Sequence, residues 1–244
     1  MPAVTQSVVH PDDVEPRREG TAEVRVTFDV RNGCEVLEQR LLRFLPGRSG
    51  ERRLDASQEV MYVLSGRGAL ELNGGRHALE PETGVFIAAG EAYSVDAEEE
   101  LALVSVVAPA ETGAVGADRK VTIRLADQPE LEASPERTYR YLVSEEAGCL
   151  GVTQFVGIVQ PSKVPFHSHP YDEVGYIIEG EGTAYVDGDE TPLRAGSCFH
   201  LAPEQAHIIE NSGTAPMKVL GVFHPSGSPA TRSVQNNKSG ADSS

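Results

Sequence analysis

The sequence lacks several features that define common classes of protein. None of its apolar runs approaches the roughly 18 residues of a membrane-spanning helix. Positive charge is scarce, because 21 lysines and arginines stand against 37 aspartates and glutamates, for a net charge of −16 over 244 residues. Nucleic acids and anionic membranes bind to basic surfaces, so this balance argues against both as partners.

Cysteine is sparse as well, and it is not spaced as a motif. Cys34, Cys149 and Cys198 lie far apart with no C-x-x-C pair, which predicts reduced, buried thiols in a cytoplasmic protein. The segment Met1–Gly20 is charged and has no apolar stretch, so we expect no signal peptide. An apolar share of 39% with 24% charged residues is typical of a soluble globular protein.

One stretch, Phe166–Gly180, carries the strongest chemical signal. It has His167 and His169 two positions apart and Glu173 four positions further on. Residues i and i+2 of a strand point to the same side, so two imidazoles can converge, and His207 on a later apolar segment can add a third. Three nitrogens and one carboxylate suit Mn, Fe, Co, Ni, Cu or Zn. A metal-free polar loop would explain the two histidines alone, but the full set favours a metal.

The same residues carry a family resemblance. The spacing G-x5-H-x-H-x3-E-x6-G, followed by G-x5-P-x-G-x2-H-x3-N, resembles the two motifs of the cupin superfamily. The resemblance implies a β-barrel that holds one divalent transition metal per chain through the three histidines and the glutamate. Three turn residues depart from the motif, since proline, alanine and glutamate replace its usual glycine, proline and glycine. In this sequence the motif positions are Pro161, His167, His169, Glu173 and Gly180, then Gly196, Ala202, Glu204, His207 and Asn211.

An internal repeat shows how the chain is organised. Residues 63–74 match residues 177–188 at a constant offset of 114, and both segments end in a hairpin turn, Asn73-Gly74 or Asp187-Gly188. With the resemblance, the repeat predicts an all-β bicupin of two tandem, jelly-roll-like cupin barrels. We expect the N-terminal barrel in residues 1–115, the C-terminal barrel in 116–228, and a disordered tail, rich in Ser, Gly and Asn, in 229–244.

The first unit has lost the metal motif. Aligned by the same spacing, it places Arg53, Asp55 and Val95 at the histidine positions and keeps only Glu59. Arginine offers no lone pair to a metal and repels cations. We therefore expect a structural barrel in which Arg53 forms an inward salt bridge with Glu59. A metal-free ligand pocket is the less favoured alternative.

Catalytic residues are not identified by the sequence, which offers three weak candidates. His200 could act as an acid or base beside the metal, although a core or outward-facing position is favoured. Tyr176 is more typical of a wall or interface. Gln154 and Thr153 alternate along one strand, so one of them should face inward.

The expected ligand follows from the charge of the metal site. Four protein ligands leave two adjacent octahedral positions open, and one carboxylate against a divalent ion leaves a formal charge of +1. A small anionic, chelating organic substrate is therefore expected. The resemblance favours a metal-dependent dioxygenase, an oxidoreductase. A non-redox isomerase, decarboxylase or hydrolase is the alternative, followed by a non-catalytic small-molecule or sugar-binding protein. The oligomeric state stays open, a homodimer included.

Overall fold

The regular structure of the protein is almost entirely β. A computed structural model describes residues 6–110, 119–162 and 165–231, and the backbone of residues 233 and 234. No helix within these ranges is long and apolar enough to cross a membrane. The short 3-10 helices are Pro11–Asp13, Val30–Asn32, Leu125–Asp127 and Glu145–Ala147. The strands are β1 Val8–Val9, β2 Arg17–Glu19, β3 Ala22–Phe28, β4 Glu38–Phe44, β5 Gly47–Arg48, β6 Arg52–Arg53, β7 Ser57–Ser65, β8 Gly68–Leu72, β9 Gly75–Leu79, β10 Thr83–Ile87, β11 Ala92–Ala97, β12 Leu101–Pro109, β13 Thr122–Arg124, β14 Leu131–Ser134, β15 Arg137–Val143, β16 Thr153–Val159, β17 His167–Ser168, β18 Asp172–Glu179, β19 Glu181–Val186, β20 Asp189–Arg194, β21 Cys198–Leu201, β22 His207–Glu210, β23 Met217–His224 and β24 Ser233–Val234.

Two barrels are built in the same way. The first joins a seven-stranded sheet, β13-β10-β7-β12-β4-β3-β2, to the smaller sheet β5-β11-β8-β9, in which β6 also pairs with β11. The second joins β1-β21-β18-β23-β16-β15-β14 to β20-β19-β22-β17-β24. The two-barrel, all-β prediction is therefore confirmed.

The repeated hairpin turns fix matching registers in the two barrels. Asn73 and Gly74 have φ values of 51° and 79°, and Asp187 and Gly188 have 52° and 90°. Asn, Asp and Gly tolerate this left-handed region, which the tight hairpin requires at both central residues. Leu72 and Val186, the last strand residues before the turns, are therefore equivalent positions.

Each barrel contributes an edge strand to the other. Strand β1, at the N-terminal end of the described chain, pairs with β21 of the second barrel, and β13 pairs with β10 of the first. The predicted boundary between residues 115 and 116 falls in the segment 111–118, outside the described residues. Strand β13 lies beyond that boundary and still belongs to the first barrel's sheet, so the two units share their edges.

A continuous apolar core joins the barrels. It includes Phe28, Tyr62 and Phe86 from the first barrel and Val174 and Leu220 from the second, all at most 1% exposed. The three cysteines lie in this core and form no disulfide. Burial raises the pKa of the Cys149 thiol to about 11 and those of Cys34 and Cys198 to about 12. They are buried thiols, as the sequence predicts.

The interior of the first barrel differs from the prediction. Arg53 makes no inward salt bridge with Glu59, because its Nε lies 2.6 Å from Asp55 Oδ1 in an exposed pair. Glu59 is 1% exposed and accepts hydrogen bonds from Tyr93 Oη at 2.7 Å and Ser105 Oγ at 2.5 Å. Burial, followed by the Glu59 charge, raises the pKa of Tyr93 well above its usual value.

The strand register also corrects the alignment of the lost ligands. Tyr93 pairs with Leu72, just as His207 pairs with the equivalent Val186. Tyr93, rather than Val95, therefore holds the position of the third histidine.

Another ligand position shifts by one residue. Arg52 pairs with Tyr93 as His167 pairs with His207, so Arg52, rather than Arg53, replaces the first histidine. The segment between Arg52 and Glu59 is one residue longer than the segment between His167 and Glu173, which explains the shift from Arg53 to Arg52. Motif spacing placed the third ligand position two residues late because it was counted from Gly84, whereas the residue equivalent to Gly196 at the constant offset of 114 is Glu82.

The predicted tail is described only in part. Pro229 and Thr231 line a cavity of the second barrel, and the backbone of Ser233–Val234 pairs with that of His167–Ser168. Residue 232 and residues 235–244 lie outside the described part of the chain.

Candidate metal centre

The four predicted ligands meet at one end of the second barrel. His167 on β17 and His207 on β22 are direct partners in an antiparallel pair, with ring centroids 4.5 Å apart. The His169 ring lies 4.8 Å from that of His207. Glu173, near the start of β18, places Oε2 2.8 Å from His169 Nε2. Each of the four is at most 8% exposed, so these side chains form one buried cluster.

Backbone carbonyls set the orientation of all three imidazoles. The Nδ1 atoms of His167, His169 and His207 lie 3.2, 3.1 and 2.8 Å from the carbonyl oxygens of residues 165, 171 and 205. A carbonyl can only accept, so each Nδ1 carries a proton, and the Nε2 atoms of His167 and His207 are left with a lone pair. Metal-bound histidines are usually held in this way. Nε2 of His169 is the atom that bonds to Glu173. His169, Glu173 and His207 bring ligand atoms within 4.8 Å of one another, and His167 lies beside His207, so the donor set fits a divalent transition metal.

Burial and charge act differently on two of the histidines. Burial, opposed in part by the Glu173 charge, lowers the pKa of His207 to about 4. At neutral pH its imidazole is therefore neutral and able to bind a metal. Burial also lowers the pKa of His169, but hydrogen bonding to Glu173 and its charge outweigh this, and the net pKa is raised. A metal at this position would take the place of the proton that His169 shares with Glu173.

The ligands line a small cavity of about 90 Å³. By the same measure one water needs roughly 10–15 Å³, so the cavity admits a ligand of a few heavy atoms. Its walls are largely apolar and include Ile209. Other apolar wall residues are Phe155, Val159, Phe199, Leu201, Val219 and Phe223.

Sequence reasoning missed further residues of the wall. Arg137 and Tyr139 on β15 line the cavity, together with Pro229 and Thr231 from the segment predicted as a tail. Arg137 Nη2 donates a 2.7 Å hydrogen bond to the carbonyl of Ile209. Its guanidinium adds a fixed positive charge to the wall. The sequence signal for Arg137 and Tyr139 is the alternation along β15, because the odd-numbered residues of that strand share one face.

None of the three weak catalytic candidates lines this cavity. His200 alternates with the wall residues Phe199 and Leu201, so it faces away from the cavity, with its ring 5.8 Å from that of Phe28 in the first barrel. Its Nε2 lies 2.7 Å from Oδ1 of Asp172 on β18 of its own barrel. The imidazole N–H donates to that carboxylate, which gives His200 a structural role in the barrel interface.

The other two candidates also lie outside the cavity. Gln154 is fully buried against Gly84 of the first barrel. Among the described residues, neither polar atom of its side chain has a hydrogen-bond partner. Thr153, with the opposite parity, is on the Phe155 side of the strand. Tyr176 lines a separate groove between the barrels, and burial raises its pKa to about 12.

Comparison with protein families gives the identity of the fold. The family model of the cupin domain matches residues 40–107 and 155–223, one match per barrel and more than half of the chain in total. The chain belongs to the cupin family. The predicted bicupin organisation is thus confirmed.

This cupin also resembles individual curated proteins over part of its length. It is 34% identical to an uncharacterised protein of Methanocaldococcus jannaschii over 65 residues, 26% of this chain and 52% of that protein. It is 32% identical to the oxalate-binding protein of Thermotoga maritima over 86 residues, 34% of this chain and 71% of that one. A tetracenomycin polyketide synthase protein of Streptomyces glaucescens is 31% identical over 34% of this chain and 54% of its own. The chain spans about half the length of the first and third of these relatives.

Solved structures of similar shape include oxalate decarboxylase from Bacillus subtilis. One variant superposes with a TM-score of 0.74 at 16% identity, covering 92% of this chain and 78% of the other. A second structure of that enzyme, from work on its Mn(II) centres, superposes with a TM-score of 0.76 at 16% identity, covering 96% of this chain and 80% of the other. At this identity the likeness shows the shared two-barrel fold.

Proposed function

We propose that the second barrel binds one divalent transition metal and, on that metal, a short carboxylate anion of the oxalate type. His167, His169, Glu173 and His207 would hold the ion, which would supply a Lewis acid for the ligand's oxygens. The observation that carries the proposal is one small cavity in which these ligands and the Arg137 guanidinium form parts of the same wall.

The cavity suits such an anion by charge as well as by size. Glu173 leaves a divalent ion with a net charge of +1, and Arg137 adds a second fixed positive charge. A carboxylate accepts two parallel hydrogen bonds from a guanidinium. The apolar wall lowers the local dielectric constant, which strengthens both attractions. A neutral sugar would gain little binding energy from these charges.

Decarboxylation of the bound anion is the second step of the proposal. In oxalate the carbon–carbon bond would break, carbon dioxide would leave, and a proton would go to the remaining carbon to give formate. Similarity to oxalate decarboxylases favours this reaction over the dioxygenase expected from the sequence, which the comparisons do not support. Similarity to an oxalate-binding protein supports the alternative, binding without turnover.

The lining of the cavity bears on this choice. Among the described wall residues, Glu173 is the sole carboxylate, and no lysine is present. Glu173 is assigned to the metal, so a proton for the carbon would come from the ligand's own carboxyl group or from Tyr139. The wall therefore supports anion binding more directly than it supports turnover.

Calorimetry on the metal-loaded protein tests the proposal. Oxalate should bind to protein loaded with Mn(II) and should not bind after chelation. Arg137→Gln should weaken binding at least about tenfold, since a charged hydrogen bond contributes roughly 1.5–3 kcal/mol. The oxalate affinity of Arg137→Lys should lie between those of the parent and Arg137→Gln. Arg76→Gln, at an exposed arginine of the first barrel, should bind oxalate as tightly as the parent.

Products and oxygen consumption then separate the reactions. Formate and carbon dioxide in equal amounts without oxygen uptake support decarboxylation. Oxygen uptake supports a dioxygenase, and neither outcome supports a binding protein. Failure of metal-loaded protein to bind oxalate would overturn the proposed function.

A further inference from the structure

The chain crosses the edge of the cavity after the last barrel strand. We call residues Pro225–Thr231 the strap. Pro229 and Thr231 line the cavity together with the metal-ligand cluster. Just beyond the strap, the backbone of β24 pairs with that of His167–Ser168. The strap is thus tied to the barrel at both ends, by β23 before it and β24 after it.

Hydroxyl groups on the barrel hold the middle of the strap. Tyr171 Oη donates to the carbonyl of Ser228 at 3.2 Å. The hydroxyl of Tyr141 hydrogen-bonds to the Ser228 side chain and to Tyr139, itself a wall residue. Thr153 Oγ1 accepts from the Gly227 backbone N–H at 3.1 Å. Three barrel side chains, those of Tyr141, Tyr171 and Thr153, therefore bond directly to Gly227 or Ser228. A fourth, Tyr139, is connected to the strap through Tyr141.

A tight turn follows these anchors. The Thr231 N–H donates to the Ser228 carbonyl at 2.9 Å, and the Ala230 N–H lies 3.2 Å from Ser228 Oγ. This turn directs Pro229 and Thr231 toward the cavity. Their position in the wall thus depends on Ser228, and Ser228 depends on the tyrosines.

Tyr171 links the strap to a metal ligand. Its ring stacks on the imidazole of His169, with centroids 5.1 Å apart and an interplanar angle of 19°. Gly227 lies against the same ring so closely that a Cβ there would come within 2.3 Å of Tyr171 Cε1. Only glycine fits this contact, so the strap can approach the site this closely only with Gly227 in place.

We infer that the strap sets the size limit of the ligand that reaches the metal. This inference takes its ligand class, short carboxylates, from the function proposed above. Pro229 and Thr231 close the wall against anything longer than a two-carbon diacid. A longer acid must displace the strap and lose the hydrogen bonds to Ser228 and Gly227. A loosened strap should therefore admit longer acids and larger chelators, while the metal ligands stay the same.

The first test measures access to the metal without any proposed substrate. Protein is loaded with Co(II), and loss of the metal to excess EDTA is followed by absorbance. Gly227→Val, which forces the strap away from Tyr171, should speed the loss at least tenfold. Gly50→Val is the matched control, because no atom lies within 4 Å of a Cβ built at Gly50, and it should match the parent rate.

The second test measures size selection directly. Dissociation constants for oxalate, malonate and succinate are determined on the metal-loaded protein. The parent should bind malonate at least tenfold more weakly than oxalate, and succinate more weakly still. In Gly227→Val the dissociation constant for malonate should be less than three times that for oxalate. Equal ratios and equal rates of metal loss in Gly227→Val and the parent would overturn the inference.

A second variant covers the case in which Gly227→Val does not fold. Tyr141→Phe combined with Tyr171→Phe removes both hydroxyls that hold Ser228 and keeps the ring that stacks on His169. This double variant should lose Co(II) faster than the parent and should discriminate less between malonate and oxalate. If both its rate of metal loss and its ratio of dissociation constants equal those of the parent, the inference is contradicted. If the parent protein binds none of the three acids, the proposed function fails, while the rate of metal loss still decides the role of the strap.

Discussion

Tyr93 donates a 2.7 Å hydrogen bond to Glu59 inside the first barrel, at the two register positions that His207 and Glu173 hold in the second. The same glutamate position therefore serves two purposes. In one barrel it accepts hydrogen bonds in a filled interior, and in the other it faces a cavity beside three imidazoles. Because the strands and hairpin turns repeat, a few inward side chains distinguish a filled interior from a cavity lined by candidate metal ligands.

Removing the Tyr93 hydroxyl should destabilise the protein. Tyr93→Phe leaves the buried Glu59 carboxylate with one hydrogen bond fewer, and such a loss costs about 1–3 kcal/mol. Urea unfolding measures the change. Tyr185→Phe, at a half-buried tyrosine on β19, is the control and should lie within about 0.5 kcal/mol of the parent. Equal stability of the two variants would show that the Tyr93–Glu59 bond contributes nothing.

A methyl group at Gly175 should disturb the wall of the metal cavity. Gly175 lies two residues after Glu173, and a Cβ there would come within 2.0 Å of the Phe199 ring. Gly175→Ala should therefore displace Phe199 and cost about 1–3 kcal/mol by overpacking. Gly50→Ala, where the Cβ meets nothing within 4 Å, is the control. A stable Gly175→Ala protein with parent metal affinity would contradict this packing.

Metal binding should raise the thermal stability of the folded chain. At a free metal concentration of one hundred times Kd, binding adds about 2.7 kcal/mol. The melting temperature of the parent should rise with added Mn(II), Co(II) or Zn(II) and fall again with chelator. His207→Ala should fold and show no metal-dependent rise. A parent melt unaffected by these metals and by chelator would count against the site.

The second barrel should not be stable alone. A fragment of residues 117–244 loses β1 from its sheet and exposes its half of the apolar core between the barrels, which favours aggregation. We expect an insoluble fragment, recovered at least in part when residues 1–116 are expressed with it. A monomeric, folded fragment that binds metal would refute the scaffold role of the first barrel.

Much of the fold and the ligand set could be predicted because both depend on local spacing. Two histidines in H-x-H share one side of an extended chain, and Asn-Gly or Asp-Gly marks a hairpin whatever the rest of the chain does. The constant offset of 114 leads from His207 to Tyr93, so the repeat contained that position although the motif spacing missed it. The position of Arg52 could not be predicted in this way, because the segment between Arg52 and Glu59 is one residue longer than its counterpart in the second barrel.

Other features depend on tertiary contacts for which the sequence has no short-range signal. Arg137 lines the cavity because odd-numbered residues of β15 face the inside of the barrel. This can be predicted only once it is known how the strands close the barrel. The strap is rich in Ser, Gly and Pro, a composition typical of disorder, and its position depends on the distant hydroxyls of Tyr141 and Tyr171. The exchange of β1 and β13 likewise depends on the assembled pair of barrels.

The most direct test of the central claim is elemental analysis of the purified protein. If the second barrel holds the metal and the first does not, the chain should contain one equivalent of divalent transition metal. The double variant His167→Ala with His169→Ala should contain none, while Arg52→Ala should keep the parent amount. Two equivalents per chain, or metal retained after loss of both histidines, would contradict the account.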